Sequence, residues 1–439
     1  MAAHKNDFIL LNFHSSGVNA RSCAFLQSII LKSPSNPVFC IKTPQPFLRN
    51  SKPTDGNSIT PDTFRQLYIV SRLPLMVFLA DETKGLTLSE ILPNRTSICQ
   101  YLQHVDLYHL ERYVTENCYK TGGEHAIYDP LIMLKLVIVK FFRQLSYRDT
   151  LQTLTDQDCR YLGLPWTADG YIIPARSTLH HFVKCRLKEE GFERLMGIVG
   201  SLVCKASTDQ AGIMDSTPVE ASRYDKNAEF NVHYQCKMYK AHIFHLGDIP
   251  LFCQFSEGNE SDSTYAIDLI KGVARMDPNI PEVFADAGYD AFQIHADIHH
   301  FLHAKPFIQC RDTAVVQEEG TEVRIDHWVN KMWKMGGSLT ATLRQKLEFL
   351  YSNGRQQQVG MYLRNQNVAD PQFSEVYAKR EDCERTHNHI KSIMKLDVRR
   401  VRNESKRLYV LANFVVYQIL LLGHLQNNIS PVQQLAHYY

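Results

Sequence analysis

Apolar positions change their period along the chain: helical up to about Cys204, strand-like from Ala211, and helical again towards the end. In the first stretch, Pro130 to Phe142 reads as an apolar helix with Asp129 as its cap and Pro130 in its first position, and Leu145 to Asp149 begins the next. Thr87–Leu92 and Arg95–Leu102, split by Pro93, have the spacing of a helix-turn-helix. A turn-rich interval from Gly163 to Pro174 precedes a helix over Ser177–Leu187, which would bury Leu179, Phe182, Val183 and Leu187 and leave His180, His181, Lys184 and Arg186 facing outward. From Ala211 short apolar runs predict strands. Ala211 to Met214 delivers Asp215 and then turns at Ser216-Thr217-Pro218, Lys240–Leu246 and Pro250–Ser256 form a hairpin around Gly247-Asp248, and Glu282 to Ala285 delivers Asp286. A helix to about Met276 lies between, and a helix Phe292–Leu302 and a strand Lys305–Gln309 follow.

The stretch Glu375–Arg402 contains neither Pro nor Gly and is rich in Glu, Lys and Arg, which predicts one continuous helix. Tyr377, Arg380, Glu384 and Lys391 share one face of it, and Val376, Cys383, Ile390 and Met394 form an apolar stripe beside them. On charge pattern alone such a face points to water. Leu408 to Leu425 is the most apolar run, but Asn413, Gln418 and His424 interrupt it, so a buried helix is expected rather than a membrane span.

Composition changes this picture little. At 439 residues the chain has room for about three domains. Lys and Arg total 48 against 46 Asp and Glu, so any polyanion partner must meet a local basic surface. The 11 Cys form no C-x-x-C pair or zinc spacing and read as reduced thiols in a cytosolic protein. The N-terminus lacks the pattern of a signal peptide.

Chemistry enters through spacing. Tyr377, two residues, Arg380, three residues, Glu384, six residues and Lys391 follow two strand-borne aspartates, the second in the motif D-A-G-Y-D. This arrangement resembles the bacterial insertion-sequence DNA transposases of the Asp-Asp-Glu (DDE) superfamily with the Tyr-Arg-Glu-Lys (YREK) signature. The resemblance implies an α/β fold: an RNase H-like catalytic core, interrupted by a β-rich insertion and preceded by an all-α DNA-binding region. The expected organisation is an appendage and linker of unassigned role over 1–60, a helical DNA-binding domain over 61–205, the first part of the core over 206–309, the insertion over 310–371, and the Glu helix with the C-terminal helix over 372–439.

Asp215, Asp286 and Glu384 would be the catalytic residues and metal ligands, holding two divalent cations, Mg²⁺ with Mn²⁺ as substitute, because hard cations prefer carboxylate oxygens. Tyr377, Arg380 and Lys391 would contact DNA phosphates, with Lys395, Arg399, Arg400, Arg402, Lys406 and Arg407 extending a basic strip, and Lys184 and Arg186 would lie on a DNA-reading helix. Trp328 and Trp333 are either stacking partners for a base drawn out of the duplex or packing anchors of a small β domain. The implied activity is cleavage at terminal inverted repeats followed by strand transfer into target DNA. The implied partners are DNA and a second copy of the chain assembled on it, with no membrane, in the cytoplasm at a bacterial or archaeal nucleoid. A catalytically idle transposase-derived DNA-binding protein and an RNase H-like structure-specific nuclease are the alternatives.

Overall fold

The computed structural model describes residues 97–119, 128–311, 343–399, 401, 405–428 and 438, all in one compact unit that spans Thr83–Tyr439. The expectations for residues 1–96, for Trp328, Trp333, Arg400 and Arg402, and for the β-like pieces of the insertion lie outside the described residues.

The front of the unit is helical. Helices α1 (Ile98–Tyr101), α2 (Tyr108–Cys118), α3 (Pro130–Phe142), α4 (Tyr147–Gln152) and α5 (Asp156–Leu162) lead to a two-stranded ribbon, β1 (Trp166–Thr167) and β2 (Gly170–Tyr171). Helix α6 (Arg176–His181) runs through a π-helical turn at Phe182–Leu187 into α7 (Lys188–Ala206). The start of α3 is set locally: the Asp129 carboxylate accepts from Leu131 N, and Pro130 occupies a position whose N–H would have no helical partner. As the pattern predicts, Leu179, Phe182, Val183 and Leu187 are buried.

Six strands follow in one sheet. They are β3 (Ala211–Glu220), β4 (Glu229–Asn231), β5 (Cys236–Leu246), β6 (Ile249–Glu257), β7 (Glu282–Ala285) and β8 (Lys305–Ile308). The order is β4-β5-β3-β7-β8, with β6 also on β5; β3, β4, β5 and β6 pair antiparallel, while β7 and β8 run parallel to β3. The expected turn at Ser216–Pro218 does not occur. The strand continues to Glu220, and Pro218 is tolerated because β7 accompanies β3 only as far as Met214, leaving that side of β3 without a ladder to interrupt.

Helix α8 (Asp262–Ala274) joins β6 to β7, and α9 (Phe292–Asp297) joins β7 to β8 through a second π turn. Of the expected β-rich insertion, the described part is helical: α10 (Leu343–Ser352) and α11 (Gln356–Ala369) pack with Ala296 of α9 in a small core of Leu347, Leu350, Val359 and Tyr362. The single helix expected over Glu375–Arg402 is also corrected. Helix α12 (Phe373–Tyr377), a 3-10 turn at Ala378–Glu381 and α13 (Asp382–Ile393) are separate pieces, and Lys395 takes φ 44°, which ends helical continuation. The break is tertiary in origin, because the Tyr377 hydroxyl donates to Ala285 O on β7 (3.2 Å) while α13 is held elsewhere by Thr386, whose hydroxyl donates to Asp248 O (2.6 Å).

The last helix, α14 (Lys406–Gln426), is long and apolar enough to cross a bilayer, yet 89% of its most apolar window is buried inside the protein. Its polar residues explain how it sits there. Gln418 Nε2 donates to the carbonyls of Pro250 and Leu251 (2.7 Å each) on β6, and Leu420 O accepts from the Tyr101 hydroxyl (2.6 Å) of α1. The Gln418 amide nitrogen and the Leu420 carbonyl thus have buried partners, while Gln418 Oε1 has none, and through these bonds α14 ties the helical front to the sheet.

Candidate active site

Strand register brings two of the three predicted acids together. Met214 of β3 is paired with Ala285 of β7 in parallel, so the next residue on each strand, Asp215 and Asp286, emerges at the same level of adjacent strands. Asp215 is buried; its Oδ1 accepts from Ser216 N (2.9 Å). Asp286 begins a 3-10 turn, and its Oδ1 accepts from Gly288 N (2.9 Å). A Cβ at position 288 would stand 2.9 Å from that oxygen, which is the physical reason for glycine in D-A-G-Y-D. The last Asp of the motif is structural: Asp290 is ion-paired with Arg364 of α11 (2.7 Å) and accepts from Arg311 N (3.0 Å).

Helix α13 and the turn before it lie against Asp215. Arg380 is 3.7 Å from Asp215 Oδ2, Cys383 Sγ is 3.3 Å from it, and His387 Nδ1 is 3.8 Å away. Burial holds the Asp215 carboxyl above the usual carboxylate range; the Arg380 charge, the Cys383 thiol and the Ser216 N–H act against this, and the neighbouring Asp286 charge adds to it. His387 in turn meets His245 of β5, Nε2 to Nε2 at 3.1 Å, and burial lowers the pKa of His387 to about 3. Both rings are therefore neutral at pH 7, one donating and one accepting. Ser216 bonds the Asp262 carboxylate at the start of α8, which is also 3.2 Å from Lys240 Nζ and from His242 Nδ1 and, like Asp286, would lie close to a Cβ at Gly288 (3.4 Å).

The remaining predicted residues fall into distinct settings. Glu384 stands next to Cys383 on α13 and is exposed. Tyr377 is half-buried, its phenol pushed up to about 12 by burial, and its hydroxyl is used by Ala285 O and Gln309 Oε1 (3.4 Å). Arg380 Nε is buried without a hydrogen-bond partner. Lys391 is half-buried, and burial lowers its pKa. Lys184 is bonded to Ser405 Oγ, Arg186 is exposed and lies 5.1 Å over the Tyr119 ring, and Arg399 is paired with Glu220 (3.3 Å) and Asp397 (3.1 Å). The expected basic strip is shorter than its sequence: Lys406 is buried in an ion pair with Asp225, and Arg407 is paired with Glu193 (2.6 Å).

Cys383 was legible as part of an apolar stripe, and it is fully buried, but its contact with Asp215 was not legible. His245, His387 and Asp262 carried no spacing signal, because strand and helix bring them in from separate parts of the chain. Among the described residues, no group of three or more His, Cys, Asp or Glu side chains is arranged to hold a metal ion. The pair Asp215 and Asp286 fits a hard divalent cation by its donor oxygens and by its mutual repulsion, which a cation would relieve.

The family model described as transposase DDE domain matches residues 206–417, a span that contains both aspartates and α13. The chain carries a DDE transposase domain. Its matched span starts at the last residue of α7 and ends inside α14, so the whole sheet of the transposase domain lies within it. No curated protein matches the chain. Transposases of this family act on DNA and use divalent metal ions, which gives the Asp215 and Asp286 pair its chemical context.

Proposed function

We propose that this transposase binds the terminal inverted repeats of an insertion sequence, cuts a strand at each end and joins the freed 3′-hydroxyl to target DNA, assembling as a homodimer on the DNA. The observation that carries this reading is the parallel register of β3 and β7, which brings Asp215 and Asp286 to the same level of adjacent strands, with Arg380 of the 3-10 turn beside Asp215 and Glu384 on the helix that follows. The strand order, four antiparallel strands continued by two parallel ones, supports an RNase H-like core over 206–309 and 372–439, with 310–371 as its insertion and the α1–α7 region as the DNA-binding part.

Asp215 and Asp286 would hold Mg²⁺ or Mn²⁺, with Glu384 as the third carboxylate. The cations would supply an activated oxygen nucleophile and neutralise charge on the phosphate under attack. The chain's own residues do the rest. Arg380, with Nε unpartnered and its charge beside Asp215, is placed to take a phosphate oxygen, and Lys391 is the second cation of that face. Cys383, His387 and His245 close the site from the protein side with neutral groups, so the negative charge at Asp215 is offset by Arg380, with Lys391 also within reach of it.

A second reading, a DNA-binding protein without cleavage, is favoured by one observation: Glu384 is exposed and does not complete a three-ligand group among the described residues. One experiment separates the two. Purified protein is incubated with DNA from the flanks of its coding region and Mg²⁺, and nicking and strand transfer are read on a denaturing gel. Active transposition predicts that Asp215→Asn, Asp286→Asn and Glu384→Gln each lower cleavage by about a hundredfold or more while DNA affinity is kept. Wild-type protein that binds this DNA but leaves it intact with Mg²⁺ and Mn²⁺ would establish the second reading.

A further inference from the structure

Between β3 and β5 the chain forms an arm, residues 222–235, that includes the short edge strand β4 and is fixed at both ends. At its root the buried Asp225 carboxylate is ion-paired with Lys406 of α14 and accepts from the Tyr239 hydroxyl (3.2 Å). At its tip Asn231 Oδ1 accepts from the backbone N–H of His233 (3.0 Å) and Tyr234 (3.2 Å), which closes a local turn. Asn231 Nδ2 donates to Asn259 Oδ1 (3.2 Å), and Asn259 N donates to Glu229 (3.0 Å), so the tip is tied to the loop that leads into Asp262.

An arm held this firmly exposes apolar rings that a folded chain would ordinarily cover. Tyr224 is 75% exposed, Phe230 52%, Val232 74% and Tyr234 46%; four of the ten exposed large hydrophobic residues among those described fall on this arm. Such a concentration marks a contact surface, whereas single exposed rings would not. The exposed charges on it are cationic, Arg223, which lies 4.6 Å over the Tyr224 ring, and Lys226, while its two acids are engaged, Asp225 by Lys406 and Glu229 by Asn259. The arm also borders the candidate active site. Its Asn231 is bonded to Asn259 in the loop leading to Asp262, and a Cβ at Gly288 would stand 3.4 Å from Asp262 Oδ2 and 2.9 Å from Asp286 Oδ1; the Tyr234 phenol is accordingly raised by burial and by the charges of Asp215, Asp262 and Asp286.

We infer that the 222–235 arm holds unpaired bases of the DNA strand at the point of cutting, with Tyr234 stacking on the base nearest the carboxylates, Tyr224 and Phe230 offering further stacking faces, and Arg223 and Lys226 taking the adjoining phosphates. The chemistry selects this occupant. Flat aromatic faces next to guanidinium and ammonium groups match a base and its phosphate, and stacking discriminates little between bases, as a residue beside a cleavage site requires. The arm's place beside Asp215 gives the stacked strand a reason to be there. This inference rests on reading the chain as an active transposase.

The test uses full-length protein and two DNA probes with the flanking sequence of the coding region, one fully paired and one with a short unpaired tract that carries 2-aminopurine. Wild-type protein should quench the 2-aminopurine and bind the unpaired probe more tightly. Tyr234→Ala should lose the quenching and weaken binding to the unpaired probe about tenfold, with little change for the paired one, and Tyr234→Trp should restore both. Because Tyr234 and Tyr224 are exposed, melting temperature should stay at the wild-type value in Tyr234→Ala and Tyr224→Ala. Unchanged quenching and affinity in the variants, with wild-type protein still cutting DNA, would overturn the arm's role and leave the transposase reading standing. If the variants instead shift the protein from dimer to monomer in sedimentation while quenching persists, the arm is an interface between copies and the inference fails. Wild-type protein that binds neither probe would remove the transposase reading itself.

Discussion

Lys140 is a charge in an apolar place. It lies on α3, 8% exposed, with its ammonium 3.7 Å from the Phe141 ring centre, 5.2 Å from Tyr147 and 5.6 Å from Tyr409. Burial lowers its pKa to about 8, and the Lys184 charge pushes the same way, so the rings offset only part of the lost hydration. The unfolded chain, with an ordinary lysine near 10.4, then binds more protons than the folded one between about pH 8 and 10, and stability rises with pH across that window. Lys140→Met is expected to raise stability near pH 7 by about 1 to 3 kcal/mol and to flatten this rise, as read from urea unfolding at pH 7.5 and 9.5. At this scale the sequence was informative about position where a residue's own strand sets it: the apolar runs before Asp215 and Asp286 placed them on β3 and at the end of β7. It was silent on Lys140, which the pattern leaves inside an apolar helix, and on His387, whose partner His245 comes from a different element.

Elements were legible where one periodicity governs them, as in the β5–β6 hairpin around Gly247, whose φ of +53° suits glycine, and in α8, β7 and β8. Breaks imposed by neighbours were not. The interruption at Ala378–Glu381 has no Pro or Gly to announce it, because the Tyr377 hydroxyl is drawn to β7 while α13 follows β5 and β6. A comparable demand sits in α11, where a Cβ on Gly360 would overlap the Phe292 carbonyl at the start of α9. Alanine in a helix ordinarily gains about 1 kcal/mol over glycine, but displacing a neighbouring backbone costs about 1 to 3 kcal/mol, so the clash should win. Gly360→Ala is therefore expected to lower the melting temperature by a few degrees, and a higher one would show that α9 and α11 approach less closely than described.

For the whole molecule, contacts across long stretches of chain decide how the described parts hold together. The ion pair of Asp225 with Lys406 joins the root of the arm to the first residue of α14, both residues being buried. Removing one partner leaves a buried charge uncompensated, so Lys406→Met should cost on the order of 3 kcal/mol, seen as a lower urea midpoint, and should open the 222–235 arm to limited proteolysis. Adding Asp225→Leu to it should recover most of the loss. Local sequence had no access to such a pairing, nor to the helical character of the described part of 310–371, which follows from packing against α9.

The position of α14 has a consequence for how the protein is made. Its hydrogen bonds reach Tyr101 in the helical front and Pro250 and Leu251 in the sheet, all of which leave the ribosome before it does. A nascent chain stopped before residue 406 lacks the wedge that closes both halves, and it exposes the surfaces that wedge would cover to chaperones and proteases. Prematurely terminated copies are thus expected to be cleared rather than to accumulate as competitors for DNA.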